Sequence, residues 1–297
     1  MPSAGAAQVV MDSWAQQASW SRAANRQKRV IGRARAAALL SGVLSALLGA
    51  AAAQTGAGHA MSAAWFAFGA AIAAGVVPLL HSQVGQRQIQ DWTRLRSVSE
   101  AFKAEVYTCL AKAGPYREAD ASAVLHSALA VIRAEAADLL HHIADIPAVP
   151  ARALPEVRDL DSYLRVRVRG QIDGYYRPRA AWMRGRLRLL RRAELSLGAL
   201  AVLLGAISGA FHVQSAAAWI AVVSTVSATV VAYATAGKYE YQELEFLRTA
   251  DELERLVQDW QLSGDRSQQA EDELVSRCER VISVLNDTWM VKWTSEP

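Results

Sequence analysis

Two long stretches of this sequence contain no Asp, Glu, Lys or Arg: 51 residues from Ala36 to Gln86 and 43 from Leu195 to Gly237. The other 203 residues carry all 60 charges, so something excludes charge from the gaps. A bilayer core does that. Cysteine is nearly absent as well. Cys109 and Cys278 are single, widely spaced and in charged segments, which argues for reduced thiols and against a disulfide framework or a thiolate metal site. No P-loop, dinucleotide fingerprint, HExxH helix, paired CxxC or nucleophile elbow occurs. The apolar stretches hold no ionised side chain between their ends, and Glu194 only borders one. A charge-relay transporter or an intramembrane enzyme would need such a group. The expectation is therefore a protein that is not an enzyme and takes no cofactor or metal.

Each gap has the length of two crossings, because about 20 residues at 1.5 Å rise span a core of about 30 Å. The crossings are expected near 36–53, 61–80, 195–213 and 216–236, joined by short uncharged turns at Gln54 to His59 and His212 to Ser215. No run alternates as a strand would, so the expected fold is all-α, with four transmembrane helices in two hairpins plus long cytosolic helices. A soluble bundle of alanine-rich buried helices is the competing reading. It draws on the weak first crossing, whose six strong apolar residues contribute only about −2 to −4 kcal/mol to insertion. Trp65 and Trp219 sit just inside the start of the second helix of each pair, where an indole favours the membrane interface over plain core packing.

Lys and Arg set the orientation. Residues 1–35 hold six, 81–194 hold nineteen and 237–297 hold seven, while the two short turns hold none. All soluble parts and both termini are thus expected in the cytoplasm, with the chain multi-pass in the inner (plasma) membrane. The first 30 residues lack the apolar core of a signal peptide.

The chain reads as one unit used twice. Gly42 to Ala50 aligns with Gly198 to Ala206, identical at six of nine positions, and Ala63-Ala-Trp65 matches Ala217-Ala-Trp219. Val131-Ile132 and Val281-Ile282 continue the series. This gives a first two-transmembrane repeat over 10–145, a proline-rich linker over 146–155 and a second repeat over 156–292. Both hairpins start and end inside, so the repeats are parallel. Each continues from its hairpin into a long helix, a turn and a second cytosolic helix. The last helix is expected from about Gln268 to Trp289, with Leu274, Cys278, Val281, Ile282 and Leu285 on one face; Val124, Leu125, Ala128, Val131 and Ile132 form the matching stripe.

Residues 177–192 hold seven Arg, while the helix after the fourth crossing carries Glu240, Glu243, Glu245, Asp251, Glu252 and Glu254. Antiparallel neighbours of opposite charge should pair. Arg184, Arg186, Arg188, Arg191 and Arg192 are the expected patch for lipid headgroups or a partner, and a juxtamembrane run without a recognisable fold argues against nucleic acid. His141 and His142, with Asp138 and Asp145 nearby, are the closest approach to a metal cluster; adjacent side chains diverge on a helix, so both read as exposed. Gly205 and Gly209 make a GxxxG, and Gly49 with Ala53 a weaker small-xxx-small, spacings that let helix backbones approach. Thr225 and Thr229 share a face of the fourth crossing. Their hydroxyls either bond within the membrane or form a mildly polar lining for a pore made on homo-oligomerisation.

The second unit resembles the SLATT family, the two-transmembrane effector domains associated with SMODS and SLOG proteins in bacterial conflict systems. The residues carrying the resemblance are Tyr163-Leu-Arg165, Gln171 and Tyr175-Tyr176 before the Arg-rich helix, then Arg248, Glu252, Val281-Ile282 and Trp289 after the hairpin. The first unit is a divergent copy, with Trp92, Arg96, Glu100 and Gly114-Pro-Tyr116 fitting the same scheme. The resemblance implies an effector that oligomerises and forms a pore or perturbs the inner membrane when a nucleotide-sensing or nucleotide-synthesising protein partner signals. A non-conducting membrane scaffold that docks a cytosolic partner is the alternative. No catalytic residues belong to the family pattern.

Overall fold

A computed structural model describes residues 4–55, 59–82, 84–118, 120–144, 146–147, 153–211 and 214–294, with side chains at 4, 214–218 and 284–294 outside that description. The chain is 91% helical and has no strand among the described residues. α1 (Ala4–Gln54) is followed by α2 (Ala60–Ser82), α3 (Gln86–Ala111), α4 (Ala121–Glu135) and α5 (His141–Ala144). After the linker come α6 (Leu160–Tyr163), α7 (Arg177–Phe211), α8 (Gln214–Gly237), α9 (Tyr239–Ser263) and α10 (Gln268–Thr294). The expected turns at 54–59 and 212–215 are bounded by these helices, though residues 56–58 and 212–213, like 148–152 of the linker, lie outside the described residues. α1 runs unbroken from the charged N-terminal segment through the first crossing, because it contains no proline and is rich in alanine, the strongest helix former. Pro78 lies near the end of α2, where a membrane helix tolerates it.

The helices form two compact units, and these do not follow the order of the sequence. Each sequence repeat contributes to both. The apolar unit comprises Val30–Gly85 and Ala181–Glu243; the charged unit comprises Met1–Arg29, Gln86–Ala180 and Leu244–Pro297.

In the apolar unit the two hairpins pack through small residues. Ser45 Oγ donates to the Ala70 carbonyl at 2.9 Å, tying α1 to α2. A Cβ on Gly69 would lie 3.2 Å from Leu48 Cδ1, and one on Gly42 would lie 3.3 Å from Thr229 Cγ2, so α1 also meets α8 closely. Among the described residues, four helices are long and apolar enough to cross a membrane, and at most 17% of any apolar window is buried within the chain. Large side chains such as Leu40, Phe68, Leu195, Val202 and Phe211 face outward. A soluble bundle would turn these faces inward to gain about 25 cal/mol per Å². Patches of this extent are stable only against lipid or another chain.

The charged unit is a bundle whose core includes α3. The N-terminal part of α1 packs on α3 through Trp14 against Tyr107 (5.9 Å), Trp20 against Phe102 (6.3 Å) and a Gln17 to Ser99 hydrogen bond of 2.9 Å. α10 lies along α3 as well, burying Leu274, Val275, Cys278 and Ile282. The side chain of Leu285, expected on the same face, is outside the described residues. On α4 the buried positions are Leu125 and Leu129, while Val131 is 56% exposed. The expected stripe is thus rotated, because only a narrow i, i+4 edge of this short helix meets the core. Gly264, at φ +66°, turns the chain between α9 and α10. Ser267 then caps α10, its Oγ accepting from the Ala270 N–H at 3.3 Å.

Candidate functional site

The centre of the charged unit is built on an irregular helix. α6 begins at a capping box in which the Asp159 carboxylate accepts from the Ser162 N–H (2.9 Å) and Ser162 Oγ accepts from the Asp159 N–H (3.1 Å). The chain then winds as two π-helical stretches, Leu164–Arg169 and Ile172–Tyr176, before α7. In a π-helix each carbonyl accepts from five residues on, which widens the turn. Accordingly Tyr163, Val168, Ile172, Tyr176 and Ala180 are all buried, at intervals of five and four instead of three and four. A 3.6-residue periodicity does not anticipate this face.

The widened turn also brings Arg167 inside, where it is 2% exposed. Its guanidinium grips Glu279 of α10 through two parallel bonds, Nε to Oε1 at 2.9 Å and Nη2 to Oε2 at 2.7 Å. Tyr163 Oη donates to the same Oε1 at 3.0 Å. The Arg167 Cζ stands 4.6 Å from the Tyr107 ring centre, and Glu100 Oε2 lies 3.9 Å from Nη2. Glu100 is in turn held by Lys103 (2.9 Å) and Arg96 (3.3 Å), and Arg96 donates to Tyr175 Oη at 3.2 Å. The knot therefore joins α3 of the first repeat to the π-helix and α10 of the second.

Electrostatics follow from this geometry. Burial by itself would raise the Glu100 pKa, but Lys103, Arg96 and Arg167 outweigh it and bring it down to about 2. Burial would likewise discharge Arg167, yet the charge and hydrogen bonds of Glu279 push its pKa further up. Tyr163 is raised by burial and then by the Glu279 carboxylate. The knot holds three cations, Arg96, Lys103 and Arg167, against two carboxylates, and its groups engage one another. It offers no nucleophile beside a free base. Its chemistry is positional: it fixes the π-helix, and the start of α7 with it, to α3 and α10.

Several residues that carry the SLATT resemblance meet here, namely Trp92, Arg96, Glu100, Tyr163, Tyr175 and Tyr176. Arg248 and Glu252 do not; they pair locally on α9 with Glu245 (3.0 Å) and Arg255 (2.5 Å). Sequence reasoning missed Arg167 and Glu279. Arg167 sits in a run of alternating arginines that reads as topology, and Glu279 follows Cys278 on the edge of the apolar stripe.

The opposite charges of α7 and α9 do pair. Arg177 meets Glu254 at 2.7 Å, Arg184 meets Glu243 at 2.6 Å and Arg191 meets Glu240 at 3.3 Å. Arg186 lies over the Trp182 ring at 5.4 Å, while Arg188 and Arg192 are exposed. His141 and His142 do not diverge as expected. The chain there is a 3₁₀ turn followed by a single α turn, which places their rings 4.0 Å apart. His142 is half-buried, 3.4 Å from Asp91, and the described residues hold no group of metal-ligating side chains.

In the apolar unit, a Cβ on Gly49, Gly205 or Gly209 would meet nothing described beyond its own helix backbone within 4 Å, so these faces are open among the described residues. Ala53 lies at the end of α1, exposed. Thr225 and Thr229 each donate their hydroxyl to their own helix, to the carbonyls of Ala221 (2.8 Å) and Thr225 (2.7 Å). Thr229 also fills the contact with Gly42. Trp65 and Trp219 are both exposed, Trp65 packing edge-on against Phe68 at 6.1 Å.

Residues 163–289 match the family model described as SMODS and SLOG-associating 2TM effector domain 1. Residues 16–123 match a protein family of unknown function, DUF4231, which fits a tandem pair of related two-transmembrane domains. No curated protein and no solved structure matches the chain. With four apolar helices in two hairpins among the described residues, this is a membrane protein whose residues 163–289 match the SLATT family of two-transmembrane effector domains.

Proposed function

We propose that the chain is an effector of a bacterial conflict system that self-associates in the inner membrane and forms a pore or otherwise breaches the bilayer. Both termini and the charged unit lie in the cytoplasm in this reading, and no catalytic step is involved. The SLATT match on helices whose apolar windows are at most 17% buried within the chain is the observation that carries it. The open faces of Gly49, Gly205 and Gly209 support it, since each admits the backbone of a neighbouring helix. Thr229 is engaged with α1, which leaves Thr225 as the hydroxyl available to a lumen. The trigger is a nucleotide-sensing or nucleotide-synthesising partner acting on the charged unit.

Induced expression with a potential-sensitive dye tests this. The membrane should depolarise with the activating partner present, and Gly205→Leu with Gly209→Leu should prevent it. Cells that keep both potential and growth under those conditions refute the effector reading. Stable co-purification of a partner with unchanged liposome conductance would establish the scaffold instead.

A further inference from the structure

Among the described residues, four cations on the N-terminal part of α1 have no carboxylate within ion-pair distance: Arg22, Arg26, Lys28 and Arg29. The second repeat handles its arginines differently, pairing Arg177, Arg184 and Arg191 with glutamates. Arg22, Arg26 and Arg29 are spaced four and three apart, which puts them on one side of a helix, where like charges repel. Among the described residues, they line a furrow of about 550 Å³ with Asn25, Ile146 and Pro147, and that described lining contains no carboxylate. That is the size of a small-molecule site.

Asn25 also lines a second, smaller cleft of about 30 Å³, with space for about two waters. Here Lys28 Nζ rests 5.6 Å from the centre of the Trp92 ring, beside Arg96, Gln171 and Tyr175. Glu100, the one carboxylate of this lining among the described residues, is already held by Arg96 and Lys103. Lys28 stays accessible to solvent. The protein crowded around its ammonium, followed by the charges of Arg179 and Arg96, lowers its pKa to about 8. An anion would relieve both repulsions. Gln171 and Tyr175 reach this cleft from beside and within the second π-helical stretch, a distortion that recurs at functional sites.

We propose that furrow and cleft together bind a phosphate ester. The guanidinium groups of Arg22, Arg26 and Arg29 present paired donors to phosphoryl oxygens, and Lys28 and Asn25 close the end nearer Trp92. Arg29 precedes the first crossing by seven residues, about 10 Å of helix. The ester can therefore be a soluble metabolite or the headgroup of an anionic phospholipid. The site stands independently of whether the protein conducts.

The test uses the full chain in phosphatidylcholine nanodiscs, titrated calorimetrically with inorganic pyrophosphate. Wild type should bind saturably, one per chain. The triple variant Arg22→Gln, Arg26→Gln, Arg29→Gln should weaken binding by about tenfold or more, the worth of one lost charge-assisted contact. Lys28→Met should weaken it in the same direction, and Arg255→Gln, which loses its Glu252 pair, should leave it unchanged. All these side chains are exposed, and helix content by circular dichroism checks the fold; Arg26→Gln alone provides a milder second variant. If pyrophosphate does not bind, but the wild type retains more phosphatidylglycerol than the triple variant on delipidation, the ligand is a headgroup. No binding in either arm, or equal binding by wild type and triple variant, overturns the proposal.

Discussion

Replacing Glu279 with Leu should unfasten the π-helix from α10, and its magnitude follows from the knot. The Arg167 and Glu279 side chains are 1% and 8% exposed, so the change leaves a buried guanidinium whose nearest remaining carboxylate oxygen is 3.9 Å away on Glu100. Removing one partner of such a pair costs about 3–5 kcal/mol. At about 2–4 °C per kcal/mol for a unit of this size, the melting temperature should fall by about 6–20 °C. The Arg167→Met, Glu279→Leu double variant should recover most of that, because apolar groups of similar volume replace a buried pair nearly neutrally. It should not recover all of it. Tyr163 loses the carboxylate to which it donates, leaving a buried hydroxyl that costs about 1–3 kcal/mol; adding Tyr163→Phe should remove that remainder. Near-ultraviolet circular dichroism of the purified chain in detergent follows the aromatic core of the charged unit directly. A single variant within about 1 kcal/mol of wild type, or a double variant no more stable than the single, would show that the ion pair does not hold the unit together.

Three further outcomes are expected. Gly205→Leu and Gly209→Leu should leave the monomer's stability unchanged, since among the described residues nothing beyond the helix's own backbone lies within 4 Å of either Cβ position, whereas Gly42→Leu must displace Thr229 from 3.3 Å and should lose about 1–3 kcal/mol in the same melts. Because the folded pKa of Glu100 is depressed to about 2 from 4.5, its contribution is complete above about pH 4.5 and lost as pH falls toward 2; Glu100→Gln should flatten the wild-type loss of stability across that window. Burial, with Glu279 adding to it, raises the Cys278 thiol to about 12, and burial followed by Glu105 raises Cys109 to about 11. Both should therefore resist maleimide at pH 7.5 in the folded chain, so that a single cysteine introduced at Gln214 reports topology by itself. Labelling of that cysteine from outside intact cells is the expected result, and labelling only from within would invert the orientation.

The membrane character, the four crossings and the tandem organisation were legible in the sequence, because exclusion of charge over 51 and 43 residues is a one-dimensional signal that needs no partner. Pairing of the α7 arginines with the α9 glutamates was also foreseeable from blocks of opposite sign. The rotated stripe of α4 was not, since which edge of a short helix meets the core depends on its neighbours. Nor was the knot. The π-helical turns change the residue period locally, and a periodicity argument assumes that period at the outset. Only tertiary structure could bring Glu100 and Arg167 near each other across 67 positions of sequence and set Glu279 against Arg167. It also decided which of the described arginines pair with a described carboxylate, because pairing depends on distances in space that the order of residues along a chain does not contain.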